Sequence, residues 1–402
     1  MHSSGNTSQL SFGAHFGGNS PACCLLHACF ALTLVSICLI PPGLRYMRLS
    51  AYHLHGAAKL LCLSRTLVSA AAPNPLPTAD WQTEIAMASV FIVILDTDEF
   101  AIIITNSRYL MTHSKIVWPN GAKCAAAITF DMDADSLIHI ARQKDAHDRL
   151  YPISMGQYGP KVAVPRILDT YRKFGLKQSF FVPGWCLEQY PDTIEAILKD
   201  GHEVGHHGYI HEDPTSHSAD EQRYWFERAL ASHQQVTGQQ PVGYRAPVYN
   251  INQAVIDLLI EHKFQYDSSL MGDDIPYFLE TRQGSLVEIP VHWGTDDWPP
   301  FAHFEEIGYM MPVKGPSEGL APFWEEFDAQ YETGGFWIGI WHPFLTGRLA
   351  RWLQVETWLE NILARGDVWF APLHEIATYV RSQQAIGNLR VCLLYTSPSP
   401  RD

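Results

Sequence analysis

The chain has 402 residues, of which 47% are hydrophobic and 12 are tryptophan, enough apolar material for a large core and too much for a disordered chain. Its net charge of −14 is carried essentially after Met111, since Met1 to Ala79 contains no Asp or Glu. An acidic domain repels phosphate backbones, so nucleic acid is excluded as an expected partner. The eight cysteines form no CxxC pair and no regular framework, which argues against a zinc knuckle and against a disulfide scaffold. Cys124 and Cys186 lie in apolar strand-like runs and read as buried free thiols, which fits a reducing compartment without requiring one.

In chain order, residues 1–110 form an atypical leader with a single tryptophan, Trp81. The nearly apolar stretch Ala22 to Ile40 is about long enough to span a bilayer. Scattered Arg and Ser without acids is also the composition of an organelle transit peptide. A third reading makes the leader a gene-model artefact, with translation beginning at Met111. A membrane or organellar location is expected only if the leader is native; otherwise a cytoplasmic enzyme is expected, with an oligomer of identical chains compatible with the sequence.

Residues 111–390 are expected to form the catalytic domain. Apolar runs at Ala125–Phe130, Gln178–Val182, Leu286–Val291, Phe336–Trp341 and Val368–Phe370 predict strands. Helical spacing predicts helices at Val162–Phe174, Asp192–Lys199, Ala219–Val236, Gln253–His262, Phe323–Tyr331 and Arg351–Ala364. Strand alternating with helix argues an α/β fold with a parallel sheet, closing toward a barrel. Residues 391–402 (VCLLYTSPSPRD) resemble translated read-through of a sequencing-library adapter, show no periodicity, and are excluded from the predicted fold.

Groups that carry chemistry in such folds sit where strands end. Thr129-Phe130-Asp131-Met132-Asp133 closes the first strand, and two acids separated by one residue can face the same side of an extended chain. One could then bind metal while the other stays free as a base. In Gly201–Glu212, His207 and His211 are four apart, a spacing that puts two imidazoles on one face of a helical turn. Two histidines and a carboxylate make a facial set for a catalytic metal; surface histidines in a polar loop are the bland reading.

In Gly243–Tyr249, Arg245 beside Asp131 would hold that acid ionised, with a plain surface salt bridge as the alternative. His342 ends a very apolar strand and is a candidate general acid. Asp267 could hydrogen-bond His342 and raise its pKa. His139, Arg142, Lys144 and His147 read as a solvated helix or loop over the site. His217, His233, His262 and His292 read as ordinary and most tryptophans as core, while His206 and Asp135 are near enough to contribute but spacing favours their neighbours.

Taken in order, these clusters resemble the polysaccharide deacetylase (NodB-homology) family over about Lys123 to Tyr379, most strongly in TFDMD and GHEVGHHGYIHED. The resemblance implies a distorted (β/α)7-type barrel with helices outside. It also implies Asp133, His207 and His211 as ligands of a divalent metal, usually Zn2+, with Co2+ or Ni2+ as alternatives. Asp131 then matches the general base, Arg245 its orienting partner, and His342 the general acid, while Asp267 falls near the fourth motif.

Two departures stand out. Met132 separates acids that are usually adjacent in the family, and LMGDDIPY (270–277) and TDDWPPF (295–301) look more like a subgroup near cyclic-imide hydrolases and allantoinases. The expected function is therefore hydrolysis of a non-peptide carbon–nitrogen bond, deacetylating an N-acetylated sugar or related N-acyl compound. Alternatives are opening of a cyclic imide or ureide, or an inactive binding protein on the same scaffold. A pocket closed by Trp298, Pro299, Pro300, Phe301 and Tyr277 would suit a small molecule, and an open groove a sugar chain. The oxyanion is expected to be held by the metal and a backbone N–H near Tyr249.

Overall fold

The computed structural model describes residues 48–52, 59–65, 88–94, 100–105, 116–281, 283–384 and 391–393. The chain divides into two compact units, Met1–Thr112 and His113–Asp402. In the first, β1 (Arg48–Tyr52), β2 (Lys59–Arg65), β3 (Ala88–Ile94) and β4 (Phe100–Thr105) form an antiparallel sheet in sequence order. Leu60–Leu63, Val90–Ile94 and Ile102–Ile104 supply its apolar and β-branched runs. The predicted apolar segment Ala22–Ile40 lies outside the described residues. Among the described residues, no helix is long and apolar enough to cross a membrane.

The second unit is built on a mostly parallel sheet curled into a half-barrel. Its centre is β5 (Cys124–Asp131), all eight of whose residues are buried. A strand covered on both faces needs no polar alternation, which is why CAAAITF reads as one continuous apolar run. Next in the chain come β6 (Ser179–Val182), β7 (Glu203–His206), β8 (Gly243–Tyr244), β9 (Tyr266–Asp267), β10 (Tyr277–Glu280) and β11 (Ser285–Glu288). They are followed by β12 (Phe336–Trp341), β13 (Val368–Phe370) and β14 (Val391–Leu393).

The strands lie in the order β12-β5-β6-β7-β8-β9-β11-β10-β14. One edge of β5 is paired along Ala125–Phe130 by β12; the other is shared, β13 against its start and β6 against its end. All of these pairs are parallel, and only β10 runs antiparallel to its partner β11. A bridge between Asp296 and Ile340 brings the segment after β11 onto β12, and this approach places both ends of the curl around one site.

The five predicted strands and six predicted helices are present, Phe336–Trp341 and Val368–Phe370 with the expected ends and the others with shifted ones. The segment predicted from Phe323 to Tyr331 begins earlier, at Pro316, because a proline is tolerated in a first helical turn. Helix Ala219–Thr237 starts at a capping box between Ser218 and Glu221 and stops at Gly238 in the left-handed region. The short strands β7, β8, β9 and β10 escape periodicity because two to four residues are too few to show alternation. The exclusion of 391–402 from the fold needs one correction, since Val391–Leu393 lies parallel to β10.

Trp337, Trp341 and Trp352 are fully buried, with Phe130 and Phe180 stacked at 5.4 Å beside them, so the tryptophans serve mainly as core, as expected. At β8 the packing admits only glycine: a Cβ on Gly243 would stand 2.0 Å from the Tyr266 ring.

Candidate active site

β5 delivers the two acids. Asp131 is its last residue, and the chain stays extended through Met132, whose N–H donates to the Phe181 carbonyl at 2.8 Å. Alternation then buries Met132 in the core and turns Asp131 and Asp133 into one cavity. Ala134 follows at φ 49, a left-handed turn that swings the chain into the helix Ser136–Ala141.

Asp131 is gripped from behind. Arg245, fully buried at the end of β8, donates to Asp131 Oδ1 at 2.8 Å and to Thr129 Oγ1 at 2.7 Å. Its other nitrogens donate to the Ser268 carbonyl at 3.0 Å and the Ser268 hydroxyl at 2.9 Å, and its guanidinium lies 4.3 Å over the Phe181 ring. This is a buried, fully bonded pair and not the surface salt bridge that the motif alone would suggest. The grip fixes one carboxylate oxygen and leaves Oδ2 toward the cavity, 3.9 Å from His207 Nε2.

His207 and His211 are where the sequence brings them, but not on a helical turn. They follow β7 in a loop, with His211 itself at φ 66. The loop folds around a buried carboxylate that the sequence reading missed. Glu212 accepts the amides of Tyr209, at 2.9 Å, and Ile210, at 2.7 Å. Burial pushes the Glu212 carboxyl up, while these backbone N–H groups pull it back toward ionisation. Gly208, at φ 69, has no room for a Cβ between Glu212 and Pro247. Replacing Glu212 with alanine is therefore expected to loosen the His211 loop and weaken zinc retention about 10- to 100-fold, read by chelator competition. An unchanged zinc affinity would refute the positioning role.

His207 Nδ1 donates to the Arg245 carbonyl at 2.7 Å, which leaves Nε2 as the lone-pair nitrogen facing Asp133 Oδ1 at 3.3 Å. His211 Nε2 stands 3.5 Å from Asp133 Oδ2. Both oxygens of Asp133 and His207 Nε2 are buried without a hydrogen-bond partner. These three orphaned atoms, from one imidazole and one carboxylate, converge with His211 on the donor set of a divalent transition metal, so the residues fit such an ion. Burial opposes the charge on Asp133, yet the surrounding His211, His207 and His342 outweigh it and hold the carboxyl well below its usual range. Cys186 lies beneath, its thiol donating to the Asp133 carbonyl at 3.1 Å.

His342 follows β12 and puts Nε2 3.4 Å from Asp133 Oδ2. Its orienting partner is not Asp267. Asp297 accepts His342 Nδ1–H at 2.6 Å, the His342 backbone N–H at 3.0 Å and the Thr346 N–H at 3.0 Å. Burial lowers the His342 pKa, but the Asp297 and Asp133 carboxylates reverse this and carry it well above the ordinary value. Asp267 sits behind Arg245, accepts the Ser269 hydroxyl at 2.7 Å and is paired with buried Glu288. Burial raises both carboxyls, Asp267 to about 6 and Glu288 well above its ordinary value. The Ser269 hydroxyl also accepts the Ala246 N–H at 2.9 Å, so Asp267 supports the Arg245 turn and not the acid.

Asp297 was present in the sequence as the second acid of TDDWPPF, a segment read as a subgroup feature and a pocket wall but not as the partner of His342. A second acidic group, Asp296 with Asp297 and His342, is also close enough to ligate an ion. Its atoms are already bonded: Asp296 accepts the Trp298 N–H at 2.6 Å and the Tyr249 hydroxyl, and Asp297 holds His342. His206 is a core residue between Phe226 and His233, with burial taking its pKa to about 3.

The cavity encloses about 340 Å³. Its polar floor is Asp131, Asp133, His207, His211 and His342, and its walls include Trp298, Trp293, Tyr249 and Ile307, with Leu137 and Ile140 from the helix Ser136–Ala141. Of the five residues expected to close it, Trp298 lines it, with its ring 5.3 Å from that of His342. Phe301 and Tyr277 are buried in the core instead. Of the backbone amides near Tyr249, where the oxyanion donor is expected, that of Tyr249 itself is bonded to the Ala246 carbonyl at 3.0 Å. Val248, at φ 50 on the cavity wall, carries the other amide of that turn.

Residues 157–266 match the family model for polysaccharide deacetylases. A crystal structure of a Mycobacterium smegmatis protein assigned to the polysaccharide deacetylases is 37% identical, with a TM-score of 0.67, covering 71% of this chain and 98% of that one. The peptidoglycan deacetylase of Helicobacter pylori is 27% identical over 62% of this chain and 94% of its own length. An allantoinase crystal structure, 21% identical with a TM-score of 0.56 over 67% of this chain and 93% of that one, shares the fold.

Proposed function

The chain belongs to the polysaccharide deacetylase family, whose members are hydrolases of non-peptide carbon–nitrogen bonds, and from that premise we propose that it removes the acetyl group from an N-acetylated amino sugar. The observation that carries the reading is the convergence of orphaned Asp133 and His207 atoms between two buried, hydrogen-bonded pairs, Arg245–Asp131 and Asp297–His342.

Asp133, His207 and His211 would hold a divalent ion, with zinc the first choice for two imidazoles and one carboxylate. Such an ion supplies Lewis acidity, acidifying a water and polarising a carbonyl oxygen. Asp131 Oδ2, left free by the Arg245 grip, takes the proton from the attacking water. Attack on the acetyl carbon builds negative charge on its oxygen, for which the amide of Val248 is the assigned backbone donor. Protonated His342 then gives Nε2–H to the leaving nitrogen, and the carbon–nitrogen bond breaks to yield acetate and a free amine. Trp298 beside His342 helps keep bulk water from the acid.

The test is acetate release from N-acetylglucosamine oligomers by the zinc-supplied protein, with chelator as control. Release that chelator abolishes, together with loss of zinc from His207→Ala, is the expected result; release that persists through zinc removal refutes the metal assignment. A second reading, opening of a small cyclic imide or ureide, is favoured by the largely apolar walls of a pocket of about 340 Å³. Turnover of hydantoin without acetate release would select it.

A further inference from the structure

Asp131, Asp133, His207, His211 and His342 all act in the chemistry above. Asp296 and Tyr249 line the same cavity and take no part in it. Asp296 is nearly inaccessible, 3% exposed, and is pinned on the segment that bridges to β12. Its Oδ1 accepts the Trp298 N–H at 2.6 Å and its Oδ2 accepts the Tyr249 hydroxyl. Tyr249 reaches it from the opposite rim, on a turn in which Val248 and Tyr249 both adopt left-handed backbone, at φ 50 and φ 59. Non-glycine residues hold such conformations only where the surroundings impose them, and they concentrate at binding sites. A carboxylate has about four lone-pair directions, so two bonds leave Asp296 acceptor capacity toward the cavity.

The surroundings give that capacity a meaning. No lysine or arginine lines the cavity among the described residues; His342 is the cationic neighbour of Asp296, and Trp293, Trp298, Val248 and Ile307 supply apolar wall. A buried acceptor in an apolar wall recognises a donor and repels an anion. Burial raises the Asp296 carboxyl to about 7, against the pull of His342, so its charge is already disfavoured and a second anion beside it would be disfavoured further.

We propose that Asp296, steadied by Tyr249, is the specificity determinant of the pocket: it accepts a hydrogen bond from an uncharged substrate's O–H or N–H and excludes substrates bearing a carboxylate near the scissile group. The proposal rests on the amide-hydrolase reading and names its substrate class, neutral donors the size of one sugar unit.

The experiment measures affinity by calorimetry on the zinc-loaded full chain, and acetate release separately. The probes are N-acetylglucosamine against N-acetylmuramic acid, and hydantoin against hydantoin-5-acetic acid, each pair differing by a carboxylate. The neutral member of at least one pair is expected to bind about tenfold tighter or more than its acid. Asp296→Asn should weaken the neutral probe about 10- to 100-fold, the scale of a hydrogen bond to a charged group. It should do so through KM more than kcat, and with unchanged zinc content and melting temperature.

Tyr249→Phe, which keeps the carboxylate, should retain the preference for neutral probes, and it decides the matter if Asp296→Asn folds poorly. Equal affinities within both pairs, no binding by either neutral probe, or loss of the preference in Tyr249→Phe would overturn the proposal. So would a well-folded Asp296→Asn that binds the neutral probe like the parent. Absence of turnover with intact selectivity would instead overturn the hydrolase reading alone.

Discussion

Asp131→Asn is expected to keep its metal and lose about 10²- to 10⁴-fold in kcat, the range set by removing a general base. Asparagine preserves the shape of the side chain and an oxygen for the Arg245 N–H, now 2.8 Å from Asp131 Oδ1. It cannot take a proton from water. Arg245 would then be a buried cation without its counter-charge, so part of the cost falls on stability. Thermal unfolding separates the two effects, since a folded variant at full zinc content isolates the chemical loss. Near-normal turnover from such a variant would mean that Asp131 is not the base.

Asp297→Asn should act on the other half of the reaction and reveal itself in the pH profile. His342 works as an acid, so its active form is protonated and is present below its pKa. Burial alone would lower that pKa; the Asp297 carboxylate, 2.6 Å from Nδ1, is the leading reason it stands above the ordinary value. With a neutral amide in its place the pKa falls, and the alkaline limb of the kcat profile moves to lower pH. A dication bound nearby lowers the limb in both proteins and leaves the difference between them. Turnover at neutral pH should drop about 10²-fold or more, as for other losses of a catalytic acid.

Stability follows the same sign. A histidine whose folded pKa is raised stabilises the protein fully below its unfolded pKa and loses that contribution as pH rises through the folded value. Asparagine cannot accept all the N–H groups of His342 and Thr346 that Asp297 now accepts, so the variant should also melt lower. An alkaline limb identical to that of the parent would remove Asp297 from its assigned role.

How much of this site could be read from the chain depends on the distance over which each relationship acts. Asp131 and Asp133 share a face because a strand repeats every two residues, a geometry that any extended segment obeys. His342 was recognisable because a polar ring ends six buried apolar residues, and such a ring at the lip of a buried strand faces a site. The four-residue spacing of His207 and His211 identified the right pair for the wrong local reason. A helical turn would present them together, but the loop does so through Gly208, the left-handed His211 and the buried Glu212 carboxylate.

What the sequence by itself determined is therefore the α/β pattern, the order of the strands that carry chemistry, and the identity of base, ligands and acid as proposed here. The pattern follows from periods of two and about 3.6 residues and the chemistry of the side chains, and the separate roles of base, ligands and acid from the resemblance to the family. Tertiary structure alone decided which acid serves His342. Asp267 and Asp297 both lie near apolar segments, and only the curl of the sheet, closed by the Asp296–Ile340 bridge, brings the second to the imidazole and leaves the first behind Arg245 with Glu288. It also decided that the site is a half-open pocket with largely apolar walls. The walls come from separate parts of the chain, Leu137, Tyr249, Trp293 and Ile307 among them, whose approach no local rule encodes.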